Sequence, residues 1–128
     1  MQIEIRGLDE FKRAIERNPS VVQKQINSFL VKGMAVYNRL IIRNPWRVGM
    51  SGGGAPVRTG NLRDTHQRTV ERFQARIVPT ASYADKIHDG TGKMKARPWL
   101  DYAEKEGEKD IERLADTMTE NIIKDLAK

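Results

Sequence analysis

Two apolar stripes at helical spacing set the main constraint on how this chain folds. Val22, Ile26, Phe29, Gly33, Val36 and Leu40 follow one another at steps of four and three, flanked by Leu30, Tyr37 and Ile41. Leu100, Ala103, Gly107, Ile111, Leu114, Met118, Ile122 and Leu126 repeat the pattern further on. Such steps return to one face of an α-helix, so each stripe needs a surface to cover it. Each stripe also holds one glycine, which costs about 1 kcal/mol against alanine in a helix interior. Close approach of another element is a reason to keep it. The two helices are therefore expected to pack on one sheet and to touch near Gly33 and Gly107.

The ends of both stripes carry start and stop signals. Ser20 and Gln23 match a capping box, and Asn44-Pro45 closes the first long helix near Arg43. Pro98 suits the first turn of the last helix. Acidic residues crowd that helix from Asp101 to Asp110, and Lys124 and Lys128 follow at its end, an order that complements the helix dipole.

The remaining segments are shorter. Ile3 and Ile5 alternate with polar residues and predict a strand ended by Gly7. Asp9 predicts the cap of a short helix carrying Phe11, Ala14 and Ile15. Residues 61 to about 80 predict a hairpin, although the turn near Arg72 to Gln74 has no glycine. Tyr83 to His88 fits a strand or a helical turn, and Asp89-Gly90-Thr91-Gly92 fits a turn. The fold class is α+β: a small antiparallel sheet packed by two long helices, in a single domain spanning residues 1–128.

Residues 44–60 read as a long loop whose centre, Gly52 to Gly54, is flexible. Its large apolar side chains are Trp46, Val48 and Met50. Ordering such a loop costs roughly 1–2 kcal/mol per residue fixed. The expectation is a loop mobile in the free subunit and ordered where a neighbour buries those three.

Charge is unevenly placed. The net charge is +6, yet residues 39 to 98 hold twelve Lys or Arg against four Asp or Glu, while residues 99 to 128 hold five against nine. The middle invites anionic partners and the last helix offers an acidic surface. That fits nucleic acid, or subunit pairing in which Arg58 and Arg63 of one copy face Asp101 and Glu104 of the next, or a plain solvated surface. Aromatics are sparse at 6%, so base stacking has little support. Any DNA contact would be to the backbone and sensitive to salt.

No site chemistry stands out. With no cysteine there is neither disulfide nor thiolate site. Gly52-Gly53-Gly54 lacks the Gly-Lys-Ser/Thr ending of a phosphate loop. Asp85, His88 and Asp89 are too few to argue a metal, and His88 is expected to hydrogen-bond in a turn. His66 has no acid beside it and is expected on the surface. No nucleophile–base set is evident. The expectation is no catalytic activity, no cofactor and no metal. No run has the length of a membrane span, and the N-terminus lacks a signal-peptide pattern, so a cytoplasmic product is expected.

Four stretches together resemble a known family. Ile5-Arg6-Gly7-Leu8-Asp9-Glu10-Phe11 opens the chain. Ala55-Pro56-Val57-Arg58-Thr59-Gly60-Asn61-Leu62-Arg63 follows the loop, then Tyr83-Ala84-Asp85-Lys86-Ile87-His88-Asp89-Gly90-Thr91, then Ala96-Arg97-Pro98-Trp99-Leu100. In order and spacing they resemble the small tail-completion, neck or minor tail proteins of long-tailed siphophages and prophages. Ile87 and Trp99 stand where that family usually has Val and Phe, Asp89 where it often has an apolar residue, and Val48 to Gly54 lengthen the loop.

The resemblance implies a structural virion protein at the head–tail junction or tail end. It implies a homo-oligomeric ring, a hexamer or dodecamer, that meets the head–tail connector and tail tube proteins. Such a protein is made in the host cytoplasm and ends in the virion. The alternative is a small basic nucleic-acid-binding module.

Overall fold

The computed structural model describes residues 1–8 and 16–126. The short helix expected to start at Asp9 lies outside the described residues. Strand β1 spans Ile3–Ile5 and helix α1 spans Pro19–Ile42. A short helix α2, Asn61–Asp64, leads into β2, His66–Val70, and β3, Ala75–Pro79. Helix α3 spans Ala84–Asp89 and α4 spans Trp99–Leu126. The chain is thus α+β, as its patterning predicts.

The sheet is antiparallel throughout, in the order β1-β3-β2. Ile3 pairs with Ile77 and Ile5 with Ala75, so the inward side chains of β1 and β3 align on one face. Those four are buried, while Glu4 and Arg76 point the other way and are exposed. The sheet is therefore apolar on one side only. Helix α1 packs against β2 and β3 and, along its length, against α4.

The two long helices run antiparallel. Gln25 donates to Asp125 near one end (3.1 Å), and Arg39 pairs with Asp110 towards the other (3.5 Å). Both stripe glycines lie on this seam, as expected. A Cβ on Gly107 would sit 3.1 Å from the Tyr37 ring and 3.2 Å from the end of Leu40. One on Gly33 would meet Ile111 of α4 at 3.4 Å and Ile5 of β1 at 2.6 Å. Gly33 thus marks the place where sheet and both helices converge. The core around it includes Val22, Ile26, Leu30, Met34, Ile77 and Leu100, all almost fully buried.

Several local expectations need correction. Helix α1 begins at Pro19, so Ser20 lies inside its first turn and no side chain caps it. Gln23 instead donates to the Arg72 carbonyl, and its side-chain oxygen accepts from Arg72 Nε, both at 2.9 Å, which ties α1 to the hairpin turn. Residues 61–64 form a helical turn rather than the start of a strand, because Gly60 adopts φ +87° and reverses the chain there. The hairpin turn closes without glycine through Glu71 N–H donating to Gln74 O at 2.8 Å and a matching side-chain bond.

The loop from residue 44 has its own structure. Ile41 and Asn44 carbonyls, left over at the end of α1, accept from Ala55 and Gly54 N–H at 2.8 and 3.0 Å. Trp46 N–H donates to Gly54 O, and Pro45 and Gly54 form a parallel bridge. Gly53, Gly54, Ala55 and Pro56 are buried. The glycines expected to give slack instead let one backbone lie directly on another: a Cβ on Gly54 would fall 2.5 Å from Ile41 O and 2.8 Å from Leu40 O.

Candidate interaction groove

Where the pinned loop leaves α1, it forms one wall of a cleft. The cleft encloses about 770 Å³ between residues 56–62 and the turn that precedes α4. Leu62, buried, and Ile87, half-buried, form its apolar base. Asn61 Nδ2 donates to Tyr83 Oη at 2.8 Å across it. Arg58 and Arg97 contribute the charge.

A second cleft of about 400 Å³ adjoins it, bounded by residues 46–51 on one side and 94–97 on the other. Met94 and Arg97 line both, so the two form one groove. The second part adds Arg47 and Lys95. None of the described residues lining either part is acidic.

The shared wall is held by backbone geometry. Gly90 ends α3 at φ +79°, and its N–H donates to Lys86 O at 2.9 Å. A Cβ there would lie 2.7 Å from Ala96 N, so only glycine lets the turn fold back this tightly. Thr91 and Met94 exchange two backbone hydrogen bonds, and Arg97 N–H donates to Ile87 O at 3.0 Å. Arg97 is thereby set at the meeting point of the two clefts.

Behind the groove lies Trp99, the first residue of α4 and fully buried. His66 and His88 meet its ring edge-on, with centroids 5.9 and 5.1 Å away. The indole N–H donates to His66 Nε2 at 2.9 Å, and His66 Nδ1 lies 3.3 Å from Arg63 O. That geometry needs the neutral tautomer with its proton on Nδ1. Burial holds the His66 pKa below its ordinary value, opposed by the hydrogen bonds to the Arg63 and Leu62 backbone. His66 is therefore no surface residue, as its lack of an acidic neighbour had suggested, but the acceptor that lets a tryptophan start this helix.

His88 is buried in α3 rather than sitting in a turn. Its Nδ1 lies 2.9 Å from Asp89 Oδ1, while its Nε2 has no hydrogen-bond partner among the described residues and stands 3.8 Å from Asp101 Oδ1. Asp85 is exposed, and no group of three His, Cys, Asp or Glu side chains that could hold a metal is found among the described residues.

The residues named as interface candidates divide. Trp46, Val48 and Met50 line the smaller cleft and Arg58 the larger. Trp46 is already half-covered by its own subunit: its ring meets Tyr102 edge-on at 6.0 Å and its N–H donates to Met50 O. Val48 is 98% exposed. Arg63 is engaged by Asp64 at 2.9 Å, which lowers the Asp64 pKa, and it does not line the groove. Asp101 and Glu104 lie outside the groove on α4. Burial and the Asp101 charge raise the Glu104 pKa.

The spacing patterns did not single out Tyr83, Ile87, Met94 and Arg97 as a surface. A usable signal was present, since the three later stretches that carry the family resemblance converge on this groove and on Trp99 behind it. Comparison with family models, with curated proteins and with solved structures finds no match to the chain. Among the described residues no helix is long and apolar enough to cross a membrane.

Proposed function

We propose that the chain is a structural subunit of the head–tail junction or tail end of a long-tailed phage or prophage. It acts without catalysis, as one member of a homo-oligomeric ring between connector and tube. One observation carries this reading: three of the four stretches that resemble the tail-completion family contribute to one groove. A groove with an apolar base and basic walls suits a protein surface better than a nucleic-acid backbone, which needs charge without apolar area.

Ring formation also needs two unlike surfaces on each subunit, and the uneven charge of the chain supplies them. Sedimentation and electron microscopy of the purified chain test the proposal. Closed rings whose population grows with protein concentration are expected. A monomer at every concentration, with DNA affinity falling steeply as salt rises, would establish the nucleic-acid module instead.

A further inference from the structure

The groove has a counterpart at the far end of the same molecule. Along α4, Glu112, Asp116, Glu120, Ile123 and Leu126 follow at steps of four, four, three and three. At 100° per residue they share one flank of the helix. All five are exposed. The apolar pair at the end, Ile123 and Leu126, is 63% and 39% exposed. Within that arc lie three carboxylates and no Lys or Arg, Arg113 and Lys124 falling just beyond its Glu120 edge, and the described residues lining the groove include basic side chains and no acid. Each surface also offers apolar area beside its charge.

The two surfaces cannot meet within one subunit. The groove adjoins the start of α4, through Arg97 and through Trp46 on Tyr102. Leu126 stands 27 residues beyond Trp99, a helical rise of about 40 Å. Unless it is made twice over in a reciprocal pair, a contact between unlike surfaces at opposite ends is heterologous and builds a chain or a ring.

We infer that the groove receives the acidic flank of α4, from Glu112 to Leu126, of a second copy. Arg58, Arg97, Arg47 and Lys95 face its carboxylates, and Ile123 and Leu126 settle on the apolar base beside Ile87 and Met94. This rests on the ring reading and specifies its contact. It also places Val48, the most exposed of the described large apolar residues at 98%, at the margin of the joint, where an incoming helix would cover it.

Charge reversal tests the pairing. Arg58→Glu/Arg97→Glu alters only the groove, and Asp116→Lys/Glu120→Lys only the flank. Each alone should raise the concentration for half-assembly at least tenfold in sedimentation velocity. Mixed, the two should co-assemble, because an intact groove meets an intact flank at one joint and a reversed groove meets a reversed flank at the next. Combined in one chain, the four changes should restore assembly. Circular dichroism checks each fold, and Lys95→Glu, at an exposed site, stands in should the double groove variant not fold.

Assembly unchanged by either reversal overturns this pairing and leaves the ring reading standing. A mixture that stays monomeric overturns it as well. A parent protein that is monomeric at every concentration overturns both.

Discussion

The seam between α1 and α4 and the region around the groove are built on different principles. Along the seam, side chains meet side chains: Tyr37 and Leu40 close over Gly107, and Ile5 and Ile111 over Gly33. Around the groove, backbone meets backbone, and polar groups find single fixed partners. Gly54 lies on the last carbonyls of α1, Gly90 against Ala96, and Trp99 on His66. Side-chain ends rotate and share a misfit over many small contacts. A backbone carbonyl or a buried indole N–H has nowhere to go. The seam should therefore tolerate change, and the groove region should not. A binding surface benefits from that rigidity, since less freedom is lost when a partner docks.

Gly54→Ala tests the contrast where the effect is largest. The added methyl would fall on Ile41 O and Leu40 O, and closer still on Arg43 O, all backbone. A loss of roughly 3 kcal/mol is expected, at the upper end of overpacking costs. Urea unfolding monitored by circular dichroism would measure it. A loss below about 1 kcal/mol would mean that the loop yields, and the claim of a preformed groove would go with it.

Acid comes next in size. Protonated His66 carries a proton on Nε2 and can no longer accept from the Trp99 indole. Its folded pKa lies below its ordinary value near 6.5, so the unfolded chain takes up the proton first as pH falls. The His66 contribution is complete above that ordinary value and is lost as pH drops through the lower, folded one. The loss should be on the order of 1 kcal/mol, one hydrogen bond to a buried donor. His66→Gln keeps an acceptor and does not titrate, so it should flatten this part of the pH–stability curve. Unchanged pH dependence in that variant would assign the effect elsewhere.

Gly107→Ala should do least. Its methyl would press on the ends of Tyr37 and Leu40 at 3.1 and 3.2 Å, which can shift by a few tenths of an ångström. The helix propensity gained, about 1 kcal/mol, offsets that strain. Stability within about 0.5 kcal/mol of the parent is expected in the same urea assay. A loss as large as that of Gly54→Ala would erase the distinction between the two regions.

This contrast also explains what was legible beforehand. The seam is written in period: Phe29, Gly33, Tyr37 and Leu40 repeat at helical spacing, and their partners do so independently. Both long helices and the glycine contacts followed from that, β1 followed from its own alternation, and the hairpin from its strand-favouring residues, although it begins at His66 and not at 61. The groove region is written in single contacts between residues far apart in the chain. Nothing near His66 announces Trp99, 33 residues later. Nothing near Gly54 announces the end of α1, because a glycine needed for closeness and a glycine needed for slack are the same letter. Gln23 looked like a cap because its true partner, Arg72, is 49 residues away. Of the groove's residues, Trp46, Val48 and Met50 stood out as the loop's large apolar side chains and Arg58 by its charge, whereas Tyr83, Ile87 and Arg97 were visible only in short stretches of resemblance and Met94 not at all.

The strand order has a consequence for how the chain comes into being. The central strand, β3, is the last of the three to be made, and its neighbour β1 is the first. During synthesis Ile3 and Ile5 have no strand to join until residues 75 to 77 have left the ribosome, whereas the β2–β3 hairpin closes at once over four residues. The helix face carrying Phe29, Tyr37 and Leu40 waits longer still, because its cover is the last helix. Every nascent chain therefore passes through a period with a formed first helix, an unpaired first strand and a bare apolar seam. Slow stretches of translation between residues 80 and 98 would prolong that exposure, and this window is where a chaperone would have most to hold.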